Sequence, residues 1–209
     1  MAIKKAMPPV QPVTVNYRNE RVDCQVLRDD WWFDKVGVLD ADTYQFFTSK
    51  TGKTELIDYK FEGVDALVQD AHLLEVKALL ITPTKPLKLE DWDNAINNAG
   101  YKMESDGRVV DKNNCRFVSG GLQPRMVDLN SAAATTLLVS GVGTHDNVRI
   151  YTTKPIIRGG ASFKFYYILD AALSAEATML VAIYGRELVP VDPAEWAEIV
   201  KNLSKAVRA

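Results

Sequence analysis

The sequence is poor in the residue types on which most active sites depend. Among its 209 residues there are two cysteines and two histidines. Cys24 and Cys115 are too few and too far apart for a disulfide framework or a zinc knuckle. They read as reduced, buried thiols that pack as small hydrophobes. His72 and His145 stand at no metal-ligand spacing from each other or from a cysteine. A Cys115–His145 or Cys24–His72 pair would have to meet in space, and no nucleophile motif accompanies either. We therefore expect no catalytic, cofactor-binding or metal-binding residues and no enzyme activity.

A charge excess is lacking too. Twenty-five Lys and Arg face 27 Asp and Glu, a formal net charge of -2, which argues against a broad electrostatic grip on nucleic acid. Lys4 and Lys5 alone give little phosphate affinity, so no sequence-specific nucleic-acid partner is expected. No apolar run approaches the ~18 residues of a membrane span. Met1 to Lys5 carries the charge of a signal-peptide start, but Pro8, Pro9 and Pro12 fall where its apolar region should follow. Synthesis and folding in a cytoplasm are expected.

Two nucleotide- or metal-like motifs are incomplete. Thr51-Gly52-Lys53-Thr54 ends as a phosphate-binding loop does, yet the motif needs Gly where Phe47 stands. A polar hairpin turn is the better reading. Asp111-Lys112-Asn113-Asn114 begins as a calcium loop does, but Cys115 occupies the fifth position and no Gly the sixth.

What is present is β patterning. Phe163, Phe165, Tyr167 and Leu169 alternate with Lys164, Tyr166 and Ile168, which predicts a half-buried strand. Thr178 to Tyr184 is apolar on both faces, with Gly185 as its expected end. The pair reads as an outer strand followed by an inner one. Val13, Val15 and Tyr17, then Val22, Cys24 and Val26, predict a hairpin around Asn19-Glu20. Tyr44–Phe47, Leu56–Phe61, Leu73–Thr82, Thr135–Val139 and Val148–Thr152 complete eight or nine strands. Leu89, Trp92 and Ile96 predict a short inserted helix capped at Gly100. Met103 to Phe117 looks polar and turn-rich, with Ser105-Asp106-Gly107 and Lys112-Asn113-Asn114 as loop tips, and loop chemistry surrounds Pro124. Strands without alternating long helices exclude a parallel α/β sheet.

The domain plan is an extended arm over residues 1–12, an all-β sandwich over 13–190 and a helix over 191–209. Asp192-Pro193-Ala194-Glu195 is a helix-capping arrangement. Trp196, Ile199, Val200, Leu203 and Val207 follow on one face, and Lys201, Lys205 and Arg208 gather where the helix dipole favours cations. Such a face covers either its own sandwich or a neighbouring subunit, with an anionic lipid surface as a third option. Trp31-Trp32-Phe33, flanked by acids, is either an edge of the core or a contact with another chain. The candidate subunit-contact residues are Trp31, Trp32, Trp196, Ile199, Leu203, Lys201 and Lys205.

The order of segments resembles the jelly-roll capsid proteins of tailless icosahedral viruses, lipid-containing bacteriophages among them. Tyr44-Gln45-Phe46-Phe47 and Gly52-Lys53-Thr54 lead to the Leu73–Thr82 strand with its Pro83 stop. The Leu89–Asn98 helix follows, and then Pro155-Ile156, Phe163–Leu169, and Leu180–Gly185 with Val189-Pro190. The chain is too short for two fused jelly rolls, so the resemblance implies one jelly roll of about eight strands. It also implies a non-enzymatic shell subunit, made in a host cytoplasm and residing in the virion. Its partners would be copies of itself, other capsid proteins and an internal membrane reached through the basic termini. Two other functions fit a β-sandwich. A carbohydrate- or receptor-binding module of a spike or vertex would use Trp31, Trp32 and Tyr44 as a sugar platform. A cupin-like enzyme would need a His-rich metal set that two separate histidines do not provide.

Overall fold

A computed structural model describes residues 12–63, 65–85, 87–117, 125–126, 137–138, 148–160 and 163–206. The N-terminal arm but for Pro12, most of the Gly120–Asn130 and Thr135–Val139 stretches, His145, Val207 and Arg208 lie outside those residues.

The chain opens with β1 (Val13–Tyr17) and β2 (Glu20–Val38), paired antiparallel with Tyr17 opposite Glu20. Arg18 and Asn19 both have positive φ, 54° and 73°. That is the two-residue turn whose twist suits a hairpin, one position earlier than the expected Asn19-Glu20. Next come β3 (Thr43–Phe46), β4 (Tyr59–Lys60) and β5 (Leu73–Pro83). The Thr51-Gly52-Lys53-Thr54 segment is a turn followed by irregular chain, but not the expected hairpin turn, because β3 pairs in the smaller sheet and β4 in the larger. Of the Leu56–Phe61 strand only Tyr59–Lys60 forms.

The inserted helix is one α-turn, α1 (Leu89–Trp92), running into a π-helical turn at Asp93–Asn97. It closes where the Asn98 N–H donates to the Asp93 carbonyl, 2.8 Å, so Asn98 rather than Gly100 is its cap. Gly100 instead begins β6 (Gly100–Ser105), which forms a hairpin with β7 (Arg108–Asn114). The Met103–Phe117 stretch is therefore not simply loop. Asp106-Gly107 is the expected tip, with φ 52° and 71°, but both flanks are strands, and Lys112-Asn113-Asn114, the other expected tip, lies within β7. A short 3-10 turn at Cys115–Phe117 follows.

The remaining strands are β8 (Arg125–Met126), β9 (Leu137–Leu138), β10 (Arg149–Ile150), β11 (Ile156–Arg158), β12 (Phe163–Ile168) and β13 (Ala177–Pro190), before the helix α2 (Pro193–Ala206). β13 does not stop at Gly185 but passes through it with a register shift at Tyr184/Gly185. A Cβ on Gly185 would lie 2.6 Å from Leu74 Cδ1 and 2.7 Å from the Glu75 carbonyl oxygen. This glycine marks a bulge and a close approach of backbones rather than a strand end.

Two large antiparallel sheets result, with β8 and β9 paired as a separate two-stranded sheet. The larger runs β1-β2-β13-β5-β10, with β4 added beside β2 and β11 beside β5; the smaller runs β3-β12-β6-β7. β12 lies between β3 and β6 and is an interior strand, not the outer one that its alternation suggested. Taken in chain order, β2, β3, β5, β6, β7, β10, β12 and β13 can be numbered one to eight. The larger sheet then reads 1-8-3-6 and the smaller 2-7-4-5, a jelly-roll order. The fold is an all-β single jelly-roll sandwich with a short helical insertion and a C-terminal helix.

The main core fills the space between the sheets. Trp32, Leu79, Ile81, Val181 and Ile183 from the larger sheet join Phe46, Tyr101, Met103, Phe163, Phe165 and Tyr167 from the smaller. Tyr101 stacks on Phe165, ring centroids 5.7 Å apart, and Phe47 meets Phe61 and Phe163 edge-on at 5.6 Å. The inserted helical turn buries Trp92, Ala95 and Ile96 here, and the Tyr167 hydroxyl donates to the Ala95 carbonyl at 2.6 Å.

A second core lies on the outer face of the larger sheet. Leu73 and Leu74 adjoin in β5 and so point oppositely. Leu74 enters the main core, whereas Leu73 joins Val15, Tyr17, Val22, Cys24, Leu188 and Trp196. α2 covers this second cluster. Asp192 caps it, its Oδ1 accepting from the N–H groups of Ala194 (2.9 Å) and Glu195 (3.1 Å). Trp196 is buried and meets Tyr17 edge-on at 5.4 Å. Ile199, Val200 and Leu203 pack partly buried beside it. Of the sequence options, the helix covers its own sandwich.

Candidate functional site

The surface that α2 leaves uncovered is apolar. Trp32 and Ile183 point into the main core, so Trp31 and Tyr184 point outward from the larger sheet, their rings 5.1 Å apart. In register, Trp31 stands opposite Tyr184, Tyr184 opposite Ala78, and Ala78 opposite Ile150. One row of four apolar side chains thus crosses β2, β13, β5 and β10. The next outward row is Phe33, Ala182 and Leu80. Ile150 is 69% exposed and Trp31 37%, so the first row ends at both sides in large apolar groups facing solvent.

Charges of both signs frame one end of this patch. Lys77 Nζ donates to Asp29 at 2.8 Å and also sits 5.6 Å from the Tyr184 ring centre. Arg186 Nε lies 3.6 Å from Asp29 and 3.8 Å from Glu75. Such partly exposed pairs add little stability, but they fix the polarity of the border.

The predicted contact residues are not brought together. Trp31 is on the outer sheet face, while Trp32 is buried in the main core and Trp196 in the second. Ile199 and Leu203 line a groove of about 350 Å³ with Glu20, Glu195, Glu198 and Asn202. Lys201 is exposed on α2; Lys205 belongs to α2, with its side chain outside the described residues. Tyr184 and Ile150 were missed as surface candidates. Each sits in a segment read as a strand, and which face it takes follows only from the pairing register.

Three polar nodes tie separate segments of the sandwich together. Asp106, at the β6–β7 tip, accepts from the Tyr17 hydroxyl (2.6 Å), Arg18 (2.9 Å) and Arg158 (2.9 Å). Burial alone would raise its carboxyl, but the hydrogen bonds from Arg158 and Tyr17 and the two guanidinium charges outweigh that and hold it below the usual carboxylate range. Burial, then the bond to Asp106, pushes the Tyr17 hydroxyl up to about 12. Asp111 forms the second node, accepting from Tyr101 (2.7 Å), Tyr151 (2.5 Å) and Arg149 (3.2 Å). Burial and these bonds push both tyrosine hydroxyls up. In the third, the nearly inaccessible Glu187 carboxylate is bonded to Arg28 Nε and His72 Nδ1, each at 2.7 Å. His72 is thus placed in an ion-pair node.

Both cysteines are buried and unpaired. Burial pushes the Cys24 thiol up to about 11 and raises Cys115 as well. Among the described residues, no three His, Cys, Asp or Glu side chains are grouped to hold a metal ion. Comparison with family models, curated proteins and solved structures finds no match.

Proposed function

We propose that the chain is a structural subunit that self-associates, in keeping with the capsid resemblance of its sequence. The observation that carries this is a jelly roll whose larger sheet leaves its outward row, Trp31–Tyr184–Ala78–Ile150, apolar and partly exposed. A fold alone does not give a function; the exposed row does point to contact, since large apolar groups at a surface mark interaction sites. Its border carries Asp29 and Glu75 beside Lys77 and Arg186, so an identical surface can supply opposite charges in a symmetric contact. The acid-rimmed groove beside α2 is opposite in sign to Lys4 and Lys5 of the arm, a second means of joining subunits. Virion residence, other capsid proteins and an internal membrane as partners follow from the resemblance and belong to this proposal.

Light scattering and electron microscopy of the concentrated protein at physiological salt test it. Trimers, larger oligomers or shells are expected, and a clean monomer of 23.3 kDa would sink the shell role. Trp31→Ser and Ile150→Ser should weaken association with little change in melting temperature. Unchanged association in the double variant would remove this face from the contact.

A binding module is the alternative, and one observation favours it: the exposed Trp31 beside Tyr184 resembles a sugar-stacking platform. Trp32 is buried, and the Tyr44 hydroxyl is occupied, accepting from the Leu39 and Asp40 N–H groups and donating to the Asp40 carbonyl. Glycan binding by the monomer, lost in Trp31→Ser, would decide for this alternative.

A further inference from the structure

We propose that the cleft between the β1–β2 turn and the β6–β7 hairpin is a binding site for a phosphate group. The cleft has a volume of about 200 Å³, room for a phosphate with accompanying waters. Its wall includes Arg18, Arg108, Lys154 and Ser105, and no carboxylate.

The cations come from three separate segments: the β1–β2 turn, β7 and the stretch before β11. Arg18 is paired with Asp106, and Lys154 lies 3.8 Å from Glu75. Arg108 is exposed, and no carboxylate among the described residues pairs with it. Asp106 is already held by Tyr17, Arg18 and Arg158, so it adds little repulsion. Three cations line the cleft, and the carboxylates paired with two of them, Asp106 and Glu75, are also paired with Arg158 and Arg186.

Ser105 supplies the independent observation. It is 4% exposed, lies on the same face of β6 as the buried Tyr101 and Met103, and lines the cleft. Its hydroxyl has no hydrogen-bond partner. Buried hydroxyls are almost always satisfied, so an unused donor on a residue that lines a cationic cleft points to a ligand that accepts. Donors set on several sides suit the spread oxygens of phosphate better than a planar carboxylate, and guanidinium matches phosphate geometry. This site is independent of the shell role and stands or falls without it.

The test is a titration of the full chain with inorganic phosphate, followed by thermal shift and by phosphorus NMR line width, with sodium chloride at matched ionic strength as control. Saturable binding is expected with phosphate alone. Arg108→Gln and Lys154→Gln should each weaken it about tenfold, the scale of one lost charge-assisted hydrogen bond, while Lys112→Gln on the same hairpin leaves it unchanged. Both cleft residues are exposed, so these variants should fold. Ser105→Ala should weaken binding by a smaller factor. Equal shifts with phosphate and chloride would overturn the proposal, as would equal affinity for acetate or full affinity in both cleft variants. Sedimentation with phosphatidic acid vesicles, competed by phosphate and lost in Arg108→Gln, would identify a lipid headgroup as the source. Phosphate binding without sedimentation would identify a soluble one.

Discussion

The Asp34 carboxylate, fully buried in β2 of the larger sheet, accepts a 2.7 Å hydrogen bond from the backbone N–H of Phe47, just past β3 of the smaller one. Its other oxygen accepts from the Lys35 N–H at 2.9 Å and from Lys53 Nζ at 2.5 Å. One side chain thus fastens a strand of each sheet and the Thr51–Thr54 turn. Phe47 has φ 64°, an unusual conformation for a bulky residue, and its bond to Asp34 helps hold it there.

Asp34→Ala should therefore be among the most damaging single substitutions. The Phe47 N–H loses its acceptor, at a cost of about 1–3 kcal/mol when left unsatisfied, and Lys53 loses its partner, while the Lys35 N–H keeps the Asp58 carbonyl at 3.0 Å. Asp34→Asn keeps one acceptor and should lose less. Urea unfolding of both variants checks the order, and an Ala variant within ~0.5 kcal/mol of the parent would contradict it.

Acid should loosen the molecule through Asp106. Its folded carboxyl titrates below the ordinary value, so the stability it confers is present above about pH 4, the unfolded carboxylate value. That contribution disappears as pH falls through the lower folded value. Asp106→Asn should be less stable than the parent at pH 7 and nearly equal to it at the acid extreme. A constant difference across the range would show that the carboxylate charge is not responsible.

At the alkaline end the signs reverse. The Cys24 thiol and Tyr17 hydroxyl are raised to about 11 and about 12, so folding favours their neutral forms. Their contribution is full below the ordinary thiol and phenol values, and is lost as pH rises through 11 and 12. The same burial shields Cys24 and Cys115 from Ellman's reagent at pH 8. Labelling should follow global unfolding, with immediate modification of either thiol as the contrary result.

Removing residues 192–209 should lower the melting temperature of the isolated subunit, because Trp196 is buried on its own sandwich. Trp196→Ala alone should cost about 3–5 kcal/mol. Binding of a hydrophobic dye should rise in the truncated form as Tyr17, Leu73 and Leu188 become accessible. An unchanged melting point would mean that the helix contributes nothing to the subunit.

The elements legible in the sequence were those with one dry face and one wet face. Phe163 to Leu169 and the Val13–Val26 hairpin alternate cleanly and form the strands they predict, although β12 lies inside its sheet and the hairpin turn comes one residue early. Asp192 to Leu203 also declared itself, because capping and helical spacing agree. β6 and β7 were hidden by their polar outward residues, such as Lys102, Glu104 and Lys112, although their turn was visible in Asp106-Gly107. Gly185 misled because a glycine within a bulge has the same local signature as one that ends a strand. The outward apolar row was not legible at all, since Trp31, Tyr184, Ala78 and Ile150 are joined only by strand pairing over more than a hundred residues. The phosphate cleft likewise depends on turns that meet in space.

The position of β13 at the middle of the larger sheet has a consequence for the chain as it is being made. β13 pairs with β2 on one side and β5 on the other, yet it leaves the ribosome after every other strand of both sheets. From the completion of β5 to the appearance of β13, roughly 5–20 s at bacterial rates of synthesis, the nascent chain carries two strands that lack their shared partner. Unpaired edges of that kind recruit other chains. Expression at lowered temperature, or with chaperones that shelter nascent chains, should therefore raise the soluble yield more than any substitution at the surface.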